Sequence, residues 1–400
     1  MTSSNTSGLH HFDVIIAGTG AAGLSLAYAI SQSEKLKDLQ VLLVDKEQKG
    51  TNDRTWCFWE EGEGTFDDIL HHVWDRAQFY GNNFEKELDL SPYRYKMIRS
   101  EDFYQKIIQT LTNQDNFTWV QEPIQEIKDQ PDRASLTTKS GVTYTGQWLF
   151  NSTPFGSPSP NKEKYNYLLQ HFKGYEITAH RPVFSPGLPT FMDFRVEQGD
   201  ANDARFGYIL PDNEQEALVE YTVFSPETWS QEAYEEELQG YLKRFVNLDP
   251  DEYTVRRVEF GVIPMTDQYF PPSQGKHVIQ IGTFGGQTKA STGYTFQRIQ
   301  KHTQRIMNQW EKKGTPLVKS SRWNRRFTFY DAVLLEVMQK EWVKSRDIFT
   351  RIFKRNPEIR VFRFLDDSTD FREEVALMNS MPYLPFLRAV ASKLFKYTFR

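Results

Sequence analysis

Four hundred residues carry 48 Lys and Arg against 53 Asp and Glu, a formal net charge of −5 at pH 7, with one cysteine. That balance argues against a general nucleic-acid binder, which would show a basic surplus, and the single Cys57 excludes an internal disulfide, as suits a reducing compartment. The first eleven residues lack the apolar core of a signal peptide, and no stretch approaches the ~20 apolar residues that span a bilayer. A cytoplasmic protein is expected, built as two or three average domains or as one large interleaved unit.

The chain opens on an apolar strand, Phe12-Asp-Val-Ile-Ile-Ala17, that runs into Gly18-Thr-Gly-Ala-Ala-Gly23. A helix-like run follows from Ala21 to about Ser31, then a second apolar strand, Val41-Leu-Leu-Val44, that ends in Asp45. In such a G-x-G-x-x-G turn the first glycine permits the tight bend. The second lets backbone approach a pyrophosphate, and the third packs helix against strand. The helix N-terminus offers unpaired N–H groups to the phosphates, and an acid about 20 residues further on takes the ribose hydroxyls. Ala17, Gly18, Thr19, Gly20, Ala21, Ala22, Gly23 and Asp45 thus read as a dinucleotide cradle, the alternative being a glycine turn between core elements. No second fingerprint of this kind follows.

A helix is predicted over Ser100–Thr112, with Ser100 as N-cap and Glu101 and Asp102 in its first turn. Apolar-polar alternation at Phe117–Gln121, Ala134–Lys139 and Val142–Phe150 predicts a small β-excursion, turning at Lys139-Ser-Gly141, that returns to the nucleotide domain. Residues 154–162, with Pro154, Gly156, Pro158 and Pro160, read as a linker. Strands resume at Phe191–Val196, Phe206–Leu210, Ala217–Phe224 and Tyr253–Ile263, interrupted by a charged helix over Gln231–Phe245, and predict a separate antiparallel sheet. His277–Gly282 reads as a buried strand, followed by glycines and a helix near Tyr294–Trp310 that complete the first domain. Beyond Pro316 the pattern is helical, with Leu334, Val337, Met338, Trp342, Phe349, Ile352 and Phe353 at helix spacing. The expected fold class is α/β: a Rossmann-like domain (1–160 and 264–315) interleaved with a mixed or antiparallel substrate-domain sheet (161–263), then a helical C-terminal cap (316–400).

Aromatic residues make up 14% of the chain, with 30 Phe and 19 Tyr. They either fill a ring-rich core or wall a long apolar cavity whose negative ring faces stabilise a cation. Composition does not separate the two.

A second glycine cluster, Gly282-Thr-Phe-Gly-Gly-Gln-Thr-Lys-Ala-Ser-Thr-Gly-Tyr294, comes off a strand and opens a helix. It either brings further backbone N–H groups to a cofactor or is a structural loop. After the N-terminal fingerprint come Asn52-Asp-Arg-Thr-Trp-Cys-Phe-Trp59, Phe191-Met-Asp193, Tyr208-Ile-Leu-Pro211, Leu218-Val-Glu-Tyr-Thr222, Ile263-Pro264 and Ser291-Thr-Gly-Tyr294. With these segments in this order the chain resembles the lycopene cyclase family of carotenoid biosynthesis, within the FAD-dependent monooxygenase-like fold. They cover most of residues 12–310; the remainder resembles the family more loosely, as a helical tail.

The resemblance implies an enzyme that closes the ends of lycopene, a linear polyene, into β-ionone rings without net oxidation, giving γ- or β-carotene. It implies FAD, reduced but not consumed, which stabilises a carbocation or relays a proton, with NAD(P)H as external reductant. The family's essential glutamate falls on Glu220, in Ala217-Leu-Val-Glu-Tyr-Thr-Val-Phe224. Burial raises a carboxyl pKa, so a buried Glu220 stays protonated and can donate; the bare sequence also allows a glutamate facing water. The family usually carries a second acid directly after it, where this chain has Tyr221, and adjacent strand residues face opposite sides. Asp193 is the next catalytic candidate, against a simple pairing with Arg195 or Arg181.

For the flavin, Arg54 and Arg99 are phosphate or ring neighbours, or else surface cations. The late loop offers Gly282, Thr283, Gly285, Thr292 and Gly293. Related flavoproteins place an aspartate after the late strand to hold the ribityl chain; Gly282-Thr283 leaves that contact to Thr283 or to backbone. His71 and His72 are adjacent, and helix neighbours do not face each other, so no metal site is expected. Cys57 lies in an aromatic run with no evident activating partner.

Lycopene resides in membranes, so a membrane surface is an expected partner and the location is peripheral to it. Residues 376–400 contain no Asp or Glu. On a helix Leu387, Val390, Ala391, Leu394 and Phe395 share one face and Arg388, Lys393, Lys396 and Arg400 the other, as in an interfacial helix. A terminal helix packed on its own domain is the alternative. The rival functions are a FAD-dependent monooxygenase or prenyl (carotenoid) reductase, which consumes NAD(P)H in step with product, and a non-catalytic prenyl-lipid carrier.

Overall fold

The computed structural model describes residues 10–199, 203–318 and 322–398. Strands Ser273–Gln274, Val278–Gln280, Thr143–Asn151, His10–Ala17, Val41–Asp45 and Phe117–Gln121 form one sheet in that order, and all but the first run parallel. Parallel strands are buried on both faces, which is why Val14–Ala17 and Val41–Val44 read as unbroken apolar runs and are fully buried. The α-helices are, in chain order, α1 (Ala21–Gln32), α2 (Ser100–Thr112), α3 (Gln231–Tyr241), α4 (Phe296–Lys313), α5 (Arg322–Gln339), α6 (Ser345–Arg355), α7 (Glu358–Leu365), α8 (Phe371–Met378) and α9 (Tyr383–Thr398).

On one face of this sheet Ile16 and Leu43 pack with Leu24 of α1, Ile107 of α2 and Ile306 of α4. On the other, Ile15 and Leu42 meet Ala134 and Leu136 of an antiparallel excursion, Ile124–Asp129 and Ala134–Thr138, that pairs onto Thr143–Asn151. Phe117–Gln121 is not part of that excursion; it extends the parallel sheet beside Val41–Asp45. Helix α2 begins at Ser100 itself, with Arg99 at the cap position and no side-chain cap, because the Ser100 hydroxyl accepts the Arg54 N–H at 2.9 Å instead. The N-cap expected of Ser100 is thereby corrected. Ser230 does cap α3, accepting from Ala233 N–H.

The second sheet has seven strands, ordered Tyr253–Thr266, Tyr167–Ala179, Glu216–Ser225, Ala204–Pro211, Thr190–Asp193, Arg76–Gly81 and Phe84–Asp89. It is antiparallel except where Thr190–Asp193 lies parallel to Arg76–Gly81. Two of its strands therefore come from early in the chain, ahead of the segment expected to build it. A third, small antiparallel sheet joins Thr55–Glu61, Tyr93–Arg99 and His72–Trp74. Alternation divides the second sheet: Val219, Tyr221 and Val223 pack against Tyr234, Leu238 and Tyr241 of α3, while Leu218 and Phe224 turn toward Phe349, Phe353 and Phe362 of α6 and α7.

The last helix corrects the expectation of a free cationic face. Lys393 is 1% exposed, and its Nζ lies 2.6 Å from Asp267 Oδ2 and 3.4 Å from Glu336 Oε2. One turn earlier Ala389 is also buried, so this stripe docks α9 onto α5. The outward face is the apolar one, with Tyr383, Leu384, Leu387 and Leu394 exposed. Arg388 lies over the Trp342 ring. Arg400 and the side chains of Phe395 and Lys396 lie outside the described residues. No helix among the described residues is long and apolar enough to cross a membrane.

Candidate active site

A cavity of about 580 Å³ runs between the two large sheets and the helices α5–α8. One end is built by glycines. Gly18 sits at φ +91°, where a Cβ would meet Ser152 Oγ at 2.4 Å, and a Cβ on Gly23 would lie 2.0 Å from the Gly18 carbonyl oxygen. These two make the bend and the close helix–strand approach. Gly20 is different: a Cβ there would meet nothing within 4 Å, and with Ala21 and Ala22 it lines the cavity at the start of α1. An open backbone amide at a helix N-terminus suits a pyrophosphate. Asp45 accepts the Thr19 N–H at 2.6 Å and its hydroxyl at 3.0 Å, holding the loop from behind. Ala17, Gly18, Thr19, Gly23, Asp45 and Gly285 stand behind the lining rather than in it.

The late loop closes the same end with Gly282, Thr283, Thr292 and Gly293, and Arg54 also lines the cavity, its guanidinium donating to the Asp53 carbonyl at 2.8 Å. Arg99 does not: its guanidinium is taken by Glu176 at 3.2 Å and Asp212 at 2.9 Å. Lys49, Asp53, Ser152 and Gln170 line this end and went unpredicted. Gln170 carries the clearest mark of a ligand site: its Oε1 is buried with no hydrogen-bond partner among the described residues, within 2.4 Å of where a Gly293 Cβ would stand.

The far end is walled by rings, Phe191, Phe206 and Phe224 from the sheet and Phe349, Phe353 and Phe362 from the cap. Other rings, such as Phe79, Phe103 and Phe150, are fully buried packing. Rings thus both fill the core and line the cavity, in different parts of the molecule.

Glu220 lines the same cavity, opposite Tyr208 and near Cys57 and Tyr294. It is 8% exposed and shares its face with Leu218, Thr222 and Phe224. Burial, reinforced by the charge of Glu259 and opposed by Arg257, pushes its carboxyl well above the usual range. Tyr221 points the other way, onto Trp229 on the α3 side. Beside Glu220 stands a cluster of phenols: Tyr95 OH is 2.5 Å from Tyr208 OH and 3.1 Å from Tyr294 OH. Burial pushes all three hydroxyls and the Cys57 thiol up, so none of them carries charge near neutrality.

Asp193 is not brought to this place. Met192 faces the cavity, while the neighbouring Asp193 turns toward α3, accepts Arg195 Nε at 2.8 Å and Tyr241 OH at 3.0 Å, and is fully buried. Arg181 pairs instead with Glu252. His71 bonds Asp212 at 3.1 Å, and His72 begins a strand rather than lying on a helix.

No curated protein sequence matches the chain. Among solved structures it is similar to a flavoprotein/dehydrogenase from Cytophaga hutchinsonii (TM-score 0.59, 13% identity, covering 97% of this chain and 100% of that one). It is also similar to a geranylgeranyl bacteriochlorophyll reductase-like protein from Thermoplasma acidophilum (0.54, 13%, 96% of each chain). A third likeness is to a probable FAD-dependent monooxygenase from Pseudomonas aeruginosa (0.55, 13%, 86% and 100%). At such identity the likeness is one of fold. The sequence profile described as "Lycopene cyclase protein" matches residues 13–391, almost the whole length, and the chain belongs to the lycopene cyclase family.

Proposed function

We propose that this protein is a lycopene β-cyclase that binds FAD in the glycine-lined end of its cavity and places one end of lycopene in the aromatic end. The observation that carries the reading is Glu220, a buried acid on the wall of this cavity whose carboxyl burial pushes well above the usual range. Glu220 adds a proton to the terminal double bond, leaving a tertiary carbocation; the neighbouring double bond attacks it, and loss of a proton completes an isomeric ring. Ring faces around the cation supply attraction of about 0.5–2 kcal/mol each and keep out water that would capture it. Gly20, Ala21, Ala22, Gly282, Thr283, Thr292, Gly293 and Arg54 are the residues that would hold FAD, with Gln170 supplying a polar contact. When bound and reduced, FAD would supply an electron-rich, anionic ring, and NAD(P)H is the proposed source of its electrons.

The test is to incubate the FAD-loaded protein, chemically reduced, with lycopene and to weigh the product. A cyclic product of unchanged mass, with no stoichiometric loss of reductant, is expected. A gain of oxygen or of two hydrogens would make the protein a monooxygenase or reductase, and lipid binding without turnover would make it a carrier.

The low solubility of the proposed substrate supports docking on the bilayer through α9. Tyr383, Leu384 and Leu387 face outward, close to Arg351, Lys354 and Arg355 of α6, which share a shallow pocket with Pro382. Apolar insertion beside basic side chains is the interfacial pattern. Leu384→Ser combined with Leu387→Ser should therefore reduce co-sedimentation with anionic liposomes severalfold. FAD content and turnover of detergent-dispersed lycopene should hold, and high salt should remove only the charge-dependent part of binding. Undiminished liposome binding by the double variant would exclude α9 as the docking face.

A further inference from the structure

The acid that the family usually places after its glutamate is Tyr221 in this chain, and its ring lies on the far side of the sheet. Two strands away the fold supplies another. Gly174, midway along Tyr167–Ala179, pairs with Glu220 on one side and with Glu259 on the other. Residues opposite one another across antiparallel ladders share a face, and both glutamates line the cavity. Their backbones are roughly 10 Å apart, two strand spacings, a gap that any side chain between them would fill. A Cβ on Gly174 would lie 2.8 Å from Glu220 Cγ, so Glu220 leans over the glycine.

Glu259 itself is held firmly. It is 4% exposed and accepts from Thr55 N–H at 3.1 Å, from the Thr55 hydroxyl at 2.9 Å and from Arg257 at 3.2 Å. Three donors, one a guanidinium, are the surroundings of a carboxylate rather than of a neutral acid. Arg257 is shared with Glu176 at 2.9 Å, so it does not cancel the charge of Glu259 outright. The other titratable groups that face the pair are Cys57, Tyr208 and Tyr294, all kept neutral by burial.

We propose that Glu259 is the second carboxyl of the site, a fixed anion that holds the proton on Glu220 across the notch left by Gly174. Glu259 makes and breaks no bond; it is a positioning residue, and its role rests on Glu220 being the acid of the proposed reaction. A like charge nearby disfavours ionisation of the neighbouring carboxyl, so Glu220 is reloaded and kept loaded at a pH where an isolated glutamate is empty.

The experiment follows the infrared carbonyl band of protonated Glu220 in the FAD-loaded protein, identified by its loss in Glu220→Gln, as pH rises. Glu259→Gln keeps the shape and removes the charge, so the band should disappear roughly one pH unit or more earlier. The alkaline limb of cyclisation should move with it, at unchanged FAD content. A band and rate profile that stay in place overturn the inference and leave Glu220 as the acid. Normal turnover by Glu220→Gln would instead remove the underlying reading, whatever the band does. If Glu259→Gln fails to take up FAD, Gly174→Ala serves, since its methyl pushes Glu220 out of the notch with no charge removed. An unmoved band in that variant overturns the inference equally.

Discussion

Glu220→Gln is expected to lower lycopene turnover by at least ~100-fold while FAD content stays at the wild-type level. Glutamine preserves the shape and the hydrogen-bonding capacity and removes the transferable proton. The same variant should be more stable than wild type at neutral pH. Below about pH 4.3 both folded and unfolded Glu220 are protonated and the residue costs nothing. Above it the unfolded chain releases the proton while the folded protein, whose carboxyl is raised by burial and by Glu259, does not. Wild-type stability then falls by about 1.4 kcal/mol per pH unit until the folded-state value is passed, and the variant escapes that slope. Urea midpoints at pH 4.5 and pH 7 measure it. A stability difference that stays flat between the two would mean that Glu220 is solvated, and near-normal turnover would return it to a structural role.

Lys393→Met should destabilise the protein by about 3–5 kcal/mol. The methylene stem is preserved, so the loss comes from removing the Lys393 ammonium from between Asp267 and Glu336, 6% and 2% exposed. Adding Asp267→Asn and Glu336→Gln should recover much of the stability, because both negative charges are then removed. A loss under about 1 kcal/mol would place the three residues among solvent-screened pairs. The cluster also bears on how α9 is tested: cutting the chain at 384 would strand two buried acids and disturb the cap, whereas Leu384 and Leu387 are replaceable from outside.

What was legible in the sequence follows from which positions obey simple patterning. The Gly18–Gly23 turn and its flanking strands were legible because two-sided burial writes continuous apolar runs and because each glycine answers a separate steric need. Tyr167–Ala179, the strand that carries Gly174, was not. Its inward positions include His171, bonded to Ser225 Oγ at 2.7 Å, and Lys173, bonded to Glu235, so satisfied polar groups stand where apolar ones would announce a strand. Glu259 was hidden in the same way, in a run of charges that reads as a solvated strand until Thr55 and Arg257 arrive from elsewhere. Asp193 and Glu220 look alike in sequence, each an acid in an apolar strand. Only the neighbouring strands and α3 decide that one faces an arginine and the other a cavity. Lys393 misled for the converse reason, since a cation on an amphipathic helix is ordinarily on the wet side.

The interleaving of the sheets also has a consequence for how the protein is made. Asn151 meets its neighbour Gln280 across 129 residues of chain, and Arg76–Gly81 must wait for Thr190–Asp193. At ribosomal rates of about 5–20 residues per second, the open flank of the Thr143–Asn151 strand stays unpaired for roughly 6–26 s. An unpaired strand edge is a template for pairing with other chains. The second sheet has all its strands by Thr266, whereas the first still lacks Ser273–Gln274 and Val278–Gln280 at that point, so the nascent chain depends on chaperone cover more than a protein of two sequential domains would.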